Sequence, residues 1–340
     1  MPAPPPPRPS KTLDLALSIA AVAWFLVARE LAARSASGIS QRLDLLALGS
    51  LLKPLFLIFL LLVGFSVLDF LSRRRSSTRD LLGLPIRRTS REEFGVGAAI
   101  GWSAALLSIL PILLFGSLRI QLWTEPRALL YTVFTLAGAA LGALALEIVF
   151  RGYAFRRLID AIGPTGATLS MSLFYGLLFA FSPGSTSLSV VVIGLLALLL
   201  SLGWLRTHAL WLPWGLNFAW TAILGLLFGL PTTGSTDLSS VVQTTPLGRR
   251  LVTGGDFGPE GAPLTAIVLL LAIAALLRLT RNYAWIYTHA PIIPGGYPVD
   301  VPPPAAHTAM SEQSAPPPPP PLIQILPSTP QQRSVPDPPL

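Results

Sequence analysis

Long apolar stretches alternate with short polar ones over most of the chain. Eight runs stand out, at 13–28, 45–71, 94–118, 128–150, 168–181, 188–205, 210–230 and 264–279. Runs of about 17–25 apolar residues are what a helix needs to cross a bilayer. Each run therefore predicts a membrane helix. Asp14 is expected to cap the first, and Lys53-Pro54 falls early in the second, where a lysine can snorkel to the interface and a proline is tolerated. Gly95, Gly97 and Gly101 predict close helix packing for the third. The fifth run is short for a straight crossing, which predicts an earlier start or a tilt. No repeat of fixed period appears.

The ends of the chain carry the opposite pattern. Residues 1–12 are a Pro-rich leader, and 290–340 is a second Pro-rich segment with few apolar positions. Proline removes backbone donors and favours extended backbone, so both are expected to be disordered. The first apolar run has no small-residue cleavage site behind it and is expected to be retained as a helix.

Composition agrees with a membrane protein. The 340 residues are 52% hydrophobic and 12% charged, with mean hydropathy +0.63. That is too apolar for a soluble domain of this length. The expected fold class is all-α, a polytopic membrane bundle of about eight transmembrane helices. There is no cysteine, which removes disulfides and thiolate metal sites. The net charge of +8 first reports loop charges that set orientation, and no aromatic–basic pattern points to nucleic acid. Arginines crowd the loop at 72–93 (Arg73, Arg74, Arg75, Arg79, Arg87, Arg88 and Arg91), so that loop is expected to be cytoplasmic. Eight spans then place both termini on the cytoplasmic side, with an inside-to-outside bias in basic residues of about two to one. Tyr283, Trp285 and Tyr287 read as an interfacial belt after the last span.

The segment with the most chemistry is A-L-A-L-E-I-V-F-R-G-Y-A-F-R-R-L, residues 143–158. Glu147 lies inside an apolar helix, and Arg151 follows four residues later on the same face, so the two can pair. Intramembrane charges mark function or fix helix packing, and the pair alone supports both readings.

L-E-I-V-F-R-G-Y-A-F-R-R-L resembles the first motif of the CPBP family (CAAX proteases and bacteriocin-processing enzymes, also called Abi proteins), written E-E-x-x-x-R. S-L-F-Y-G-L-L-F-A-F-S-P-G, residues 172–184, resembles the second motif, F-x-x-x-H, with Tyr175 at its aromatic position. L-W-L-P-W-G-L-N-F-A-W-T, residues 210–221, resembles the third, H-x-x-x-N. The loop V-T-G-G-D-F-G-P-E-G at 252–261 is similar to one that many bacterial members carry before their last helix. The resemblance implies N-terminal membrane helices at 13–80, an intramembrane protease-type core at 81–282 and a bacterial cytoplasmic membrane location. In the family, the first glutamate and the second-motif histidine activate water, and the third motif holds an oxyanion or a metal. A buried carboxylate can serve as a base, an imidazole can share its proton or bind zinc, and an amide can donate to an oxyanion.

At those four positions this chain has Leu146, Phe179, Asn217 and Thr221; only Glu147 and Arg151 remain of the motif residues named. Leucine and phenylalanine neither transfer protons nor bind metal, and asparagine is not a base near neutral pH. Asn217 and Thr221 are one turn apart and could form a polar patch, whose structural reading is a hydrogen bond between helices. His208, His289 and His307 have no ligand spacing and fall outside the motifs. The resemblance therefore implies a catalytically inactive homologue that binds a membrane peptide or partner protein, with no cofactor. The alternative is an active endopeptidase with a rearranged site, using Glu147, Asn217 and His208, with zinc expected only in that case. A transporter or channel has little support, because intramembrane charges are few and no broken-helix pair is evident.

Overall fold

The computed structural model describes residues 10–44, 48–72, 82–123, 125–235 and 241–281. The Pro-rich segments apart from residues 10–12, the arginines at 73–75 and 79, the aromatic belt at 283–287, His289 and His307 lie outside the described residues.

The chain is an all-α membrane bundle. Among the described residues, α1 spans Lys11–Arg42, α2 Leu48–Leu71, α3 Ser90–Phe115 and α4 Pro126–Glu147. α5 follows at Ala154–Leu178, α6 at Ser187–Thr207, α7 at Trp211–Thr221 and α8 at Pro263–Leu279. Five helical stretches are long and apolar enough to cross a membrane, and 211–227 and 263–279 are shorter apolar helices. Phe59, Leu114, Leu173 and Leu271 are each at least 60% exposed, as lipid-facing side chains are where no water has to be avoided.

α1 is longer than its apolar run. Ser10, rather than Asp14, caps it, accepting from the backbone N–H of Leu13 at 3.3 Å. Ala21, Ala28, Ala32 and Ala36 make a small-residue stripe on its buried face, against which α2 packs Leu61 and Phe65. Gly64 of α2 lies under the Trp24 ring, whose Nε1 donates to the Leu60 carbonyl at 2.9 Å.

The stretch 130–178 is helical throughout by hydrogen bonding, yet 49 residues at 1.5 Å each are too many for one crossing. It is broken twice. After Glu147 the backbone widens into a π turn at Ile148–Tyr153, where Gly152 leaves the helical region (φ −87°, ψ −110°). The second break is Gly163, at φ 82° and ψ 165°, followed by Pro164. Glycine adopts positive φ freely and proline suits the first turn of a new helix, so the fifth span starts at residue 164, earlier than its apolar run.

α3 and α7 are in backbone contact. A Cβ on Gly97 or Gly101 would run into the carbonyls of Leu212 and Leu216, and one on Gly215 would meet that of Phe94. Gly95 faces open space, so two of the three glycines expected at this contact are used. At one end of the bundle, Leu210 N–H donates to the Gly83 carbonyl (3.0 Å) and Arg87 Nη1 to that of Thr207 (2.8 Å). The other end carries features with no apolar signature. Strand β1 (Ser117–Leu122) pairs antiparallel with β2 (Val242–Leu247), Arg119 opposite Thr245. Beside them the 249–262 loop folds into single helical turns, and Phe257, Pro259 and Glu260 are buried.

Candidate functional site: a buried carboxylate among four helices

Glu147 ends α4 and is fully buried. Its Oε1 accepts from Asn217 Nδ2 of α7 at 2.7 Å. Arg151, also fully buried, stands 3.5 Å from the same oxygen through Nη1, an ion pair rather than a short hydrogen bond. Its other donors reach further. Nη2 donates to the Ala197 carbonyl of α6 at 3.0 Å, and the guanidinium lies 4.9 Å over the ring of Tyr175 on α5. One carboxylate thus gathers α4, α5, α6 and α7. Glu147 Oε2 and Arg151 Nε are buried and have no hydrogen-bond partner among the described residues.

The residue types follow from burial. An isolated carboxylate in a dry interior is costly, and a guanidinium with several fixed donors can neutralise it while spending its other N–H groups nearby. The π turn matters to this arrangement. It starts at the residue after Glu147, and a second π turn, Ala222–Leu227, starts at the residue after Thr221. Such insertions re-aim side chains and are frequent at functional sites.

The other motif positions are placed as follows. Phe179 follows the last turn of α5, half-buried, with its ring 5.4 Å from Tyr175, which also meets Phe150 edge-on at 4.9 Å. Leu146 is half-buried and packs against the core that contains Phe150 and Tyr175. Thr221 is half-buried, one turn beyond Asn217 on α7. Glu147, Arg151 and Asn217 are in contact, and Phe179 joins them through Tyr175. The partner of Asn217 is Glu147 on another helix. His208 lies elsewhere. It ends α6 in the left-handed conformation (φ 49°), with its ring 5.4 Å from Trp204. Ala197, at the site, is eleven residues back along α6, about 16 Å at the helical rise. Partial burial and the Arg87 guanidinium hold the His208 imidazole below its usual range.

Zinc does not fit the donor set. The one carboxylate of the site already faces a guanidinium, and the remaining positions offer an amide, a hydroxyl and hydrocarbon. Among the described residues no three His, Cys, Asp or Glu side chains group as metal ligands.

The basic end of the same segment serves packing. Tyr153 donates its O–H to Asp69 Oδ1 of α2 at 2.8 Å, and Arg157 Nη2 reaches the same oxygen at 3.1 Å. Phe65 stacks on Tyr153 at 4.8 Å.

Two participants were not among the candidate site residues. Tyr175 covers Arg151, a role that its aromatic position hinted at. The second is Glu260, buried in the 249–262 loop, where an acid beside glycine and proline at the head of an apolar helix was the available signal. Its Oε1 accepts from Trp220 Nε1 at 2.7 Å, and its Oε2 from the backbone N–H of Thr233 at 2.5 Å. Burial pushes its carboxyl up to about 7, against the opposing pull of those two donors.

Residues 127–223 match a family model described as type II CAAX prenyl endopeptidase Rce1-like. The matched stretch contains Glu147, Arg151, Tyr175, Phe179, Asn217 and Thr221 and stops short of Glu260. No curated protein and no solved structure matches the chain. The match over 127–223 holds the Glu147–Arg151 pair and supports the resemblance of the motifs to the CPBP family of CAAX protease-like membrane proteins.

Proposed function

We propose that this integral membrane protein is a non-catalytic member of its family, which binds a membrane-embedded peptide or partner protein within the bundle instead of hydrolysing it. The observation that carries the reading is the environment of Glu147. Its charge is neutralised by Arg151, its Oε1 takes the Asn217 amide, and the positions that would supply an imidazole hold Phe179 and Asn217. A base catalyst needs a partner that takes up and returns a proton, and neither an amide nor a phenyl ring does so near neutral pH. Leu146 and Thr221 complete a constellation that can still present an apolar wall and a few hydrogen-bonding groups to a peptide. No cofactor belongs to this reading, and the arginine bias favours both termini on the cytoplasmic side.

One observation favours the alternative of a rearranged endopeptidase. Glu147 Oε2 is buried without a hydrogen-bond partner among the described residues, and a lone pair of that kind can accept a proton from water.

The test is incubation of the full chain in liposomes with farnesylated and unmodified CAAX-type peptides, with binding and cleavage followed separately. The reading expects binding that Glu147→Ala weakens, and no new peptide termini by mass spectrometry. Cleavage that disappears in Glu147→Gln would overturn it and establish the endopeptidase.

A further inference from the structure

α7 makes four side-chain anchors at intervals of three residues, the first from Trp211 Nε1 to the Pro85 carbonyl at 2.8 Å. Trp214 Nε1 donates to the Ala140 carbonyl (2.8 Å), Asn217 to Glu147 and Trp220 to Glu260. Residues three apart on a helix are neighbours, so successive anchors form a ladder that winds along α7. Two of its rungs end on buried carboxylates.

The start of α7 is held by the Trp211 bond and by the Phe94 ring of α3, which packs on Trp214 at 5.0 Å and on Phe218 at 6.4 Å. The contact with α3 is closest at Gly97, Gly101 and Gly215, where backbone meets backbone. Downstream, the π turn Ala222–Leu227 breaks the helical register. Glu260, by contrast, sits on a firm arm. The Pro259 carbonyl accepts from Thr265 Oγ1 of α8 at 2.6 Å, Gly261 N–H donates to the Gly258 carbonyl at 2.8 Å, and Gly258 packs on the Pro231 backbone at φ 94°.

We propose that Glu260 is a positioning residue of the Glu147 site: through Trp220 it holds the end of α7 that delivers the Asn217 amide to Glu147 Oε1. The inference rests on the reading of Glu147 and Asn217 as the site, although its test needs no ligand.

The hold is pH-dependent. As an anion, Glu260 accepts both N–H groups in charge-assisted bonds, which are stronger than neutral ones. Once protonated, one of its oxygens turns donor. The grip on α7 therefore tightens as pH rises through about 7. Titratable groups on the packed elements divide clearly. Arg206 of α6, Arg278 of α8, and Arg91, Glu92 and Glu93 of α3 lie at the opposite ends of their helices. Arg250 and Asp256 are on the loop itself, and Tyr175 lies within electrostatic reach of both Glu260 and Glu147. Among the described residues no ion pair is made to Glu260, so its charge state follows its own proton.

A double-mutant cycle tests this in the full chain in lipid nanodiscs. Thermal unfolding is compared for the wild type, Asn217→Ala, Glu260→Gln and the double variant, at about pH 5.5 and about pH 8.5, on either side of the expected titration. A glutamine can accept from one of the two N–H donors and meets the other with its own NH2. The Tm drop caused by Asn217→Ala should fall by about half or more in the Glu260→Gln background, because coupled sites are non-additive. With Glu260 intact the drop should also be larger at the higher pH, whereas in the Glu260→Gln background it should not change with pH. Equal drops in both backgrounds and at both pH values would overturn the proposal. If Glu260→Gln does not fold, Trp220→Phe enters the same cycle with the same expectation. Coupling without peptide binding would remove the binding function and leave this inference standing; peptide binding with additive variants would remove only the inference.

Discussion

One helix face holds two buried carboxylates, and the protein treats them in opposite ways. Glu147 is 0% exposed and keeps its charge company with Arg151 at 3.5 Å. Glu260 is 2% exposed, has N–H donors on both oxygens and is in no ion pair among the described residues. Burying a bare charge is too costly for either, so one is neutralised by a guanidinium and the other holds its proton further into the neutral range. The first solution leaves two charges mutually dependent. The second uses neutral N–H donors in place of a counter-charge and becomes sensitive to pH.

The sharpest way to break the contrast is to remove the cation. Arg151→Met strands Glu147 without its counter-charge, and losing one member of a buried pair should destabilise the chain by about 3–5 kcal/mol in chemical or thermal unfolding. Pairing it with Glu147→Leu should recover most of that loss, since apolar replacement of a whole buried pair is close to neutral. A double variant as unstable as the single one would show that Arg151 serves through Ala197 and Tyr175 more than through the carboxylate.

The matching experiment at Glu260 is a titration. Its folded carboxyl, near 7, exceeds its ordinary 4.5, so the native state binds the extra proton between those values. Stability from this group is fully present below the ordinary value and is lost as pH rises through about 7. The gap corresponds to a cost on the order of 3 kcal/mol above that range. Glu260→Gln should flatten this part of the stability–pH profile. An unchanged slope would mean that Glu260 does not hold its proton.

Asn217→Ala should have a smaller effect, about 1.5–3 kcal/mol in unfolding at neutral pH, the size of a hydrogen bond to a charged group. His208→Asn should be smallest, within about 0.5 kcal/mol, because asparagine tolerates the left-handed backbone and the position is away from both carboxylates. The same variant should leave peptide binding by the liposome assay unchanged. Loss of binding there would bring His208 back into the site.

Much of this was legible in the residues. Among the described residues, each of the eight apolar runs is helical over most of its length, because backbone N–H and C=O groups have no other partner in hydrocarbon. The Glu147–Arg151 pair was legible because four residues make one helical turn. The β1–β2 ribbon was not, since Ser-Leu-Arg-Ile-Gln-Leu and Val-Gln-Thr-Thr-Pro-Leu are short, mixed in polarity and joined only across the fold. Gly163-Pro164 carried the signal for a new helix start, but the apolar run began later and hid it.

By itself, the sequence determined that this chain is a membrane helix bundle whose motifs resemble those of the CPBP family, with one ion pair built into a helical turn and hydrocarbon at two of the motif positions. Those features are local or compositional, and the period of the helix expresses them wherever the helix lies. Only the tertiary structure decided which groups meet those charges. Asn217 reaches Glu147 across 70 residues of chain, and Trp220 reaches Glu260 across 40. Such meetings depend on helix rotation and on two π turns that the residue pattern does not encode, because each shifts the facing of side chains without changing the apolar run that carries them.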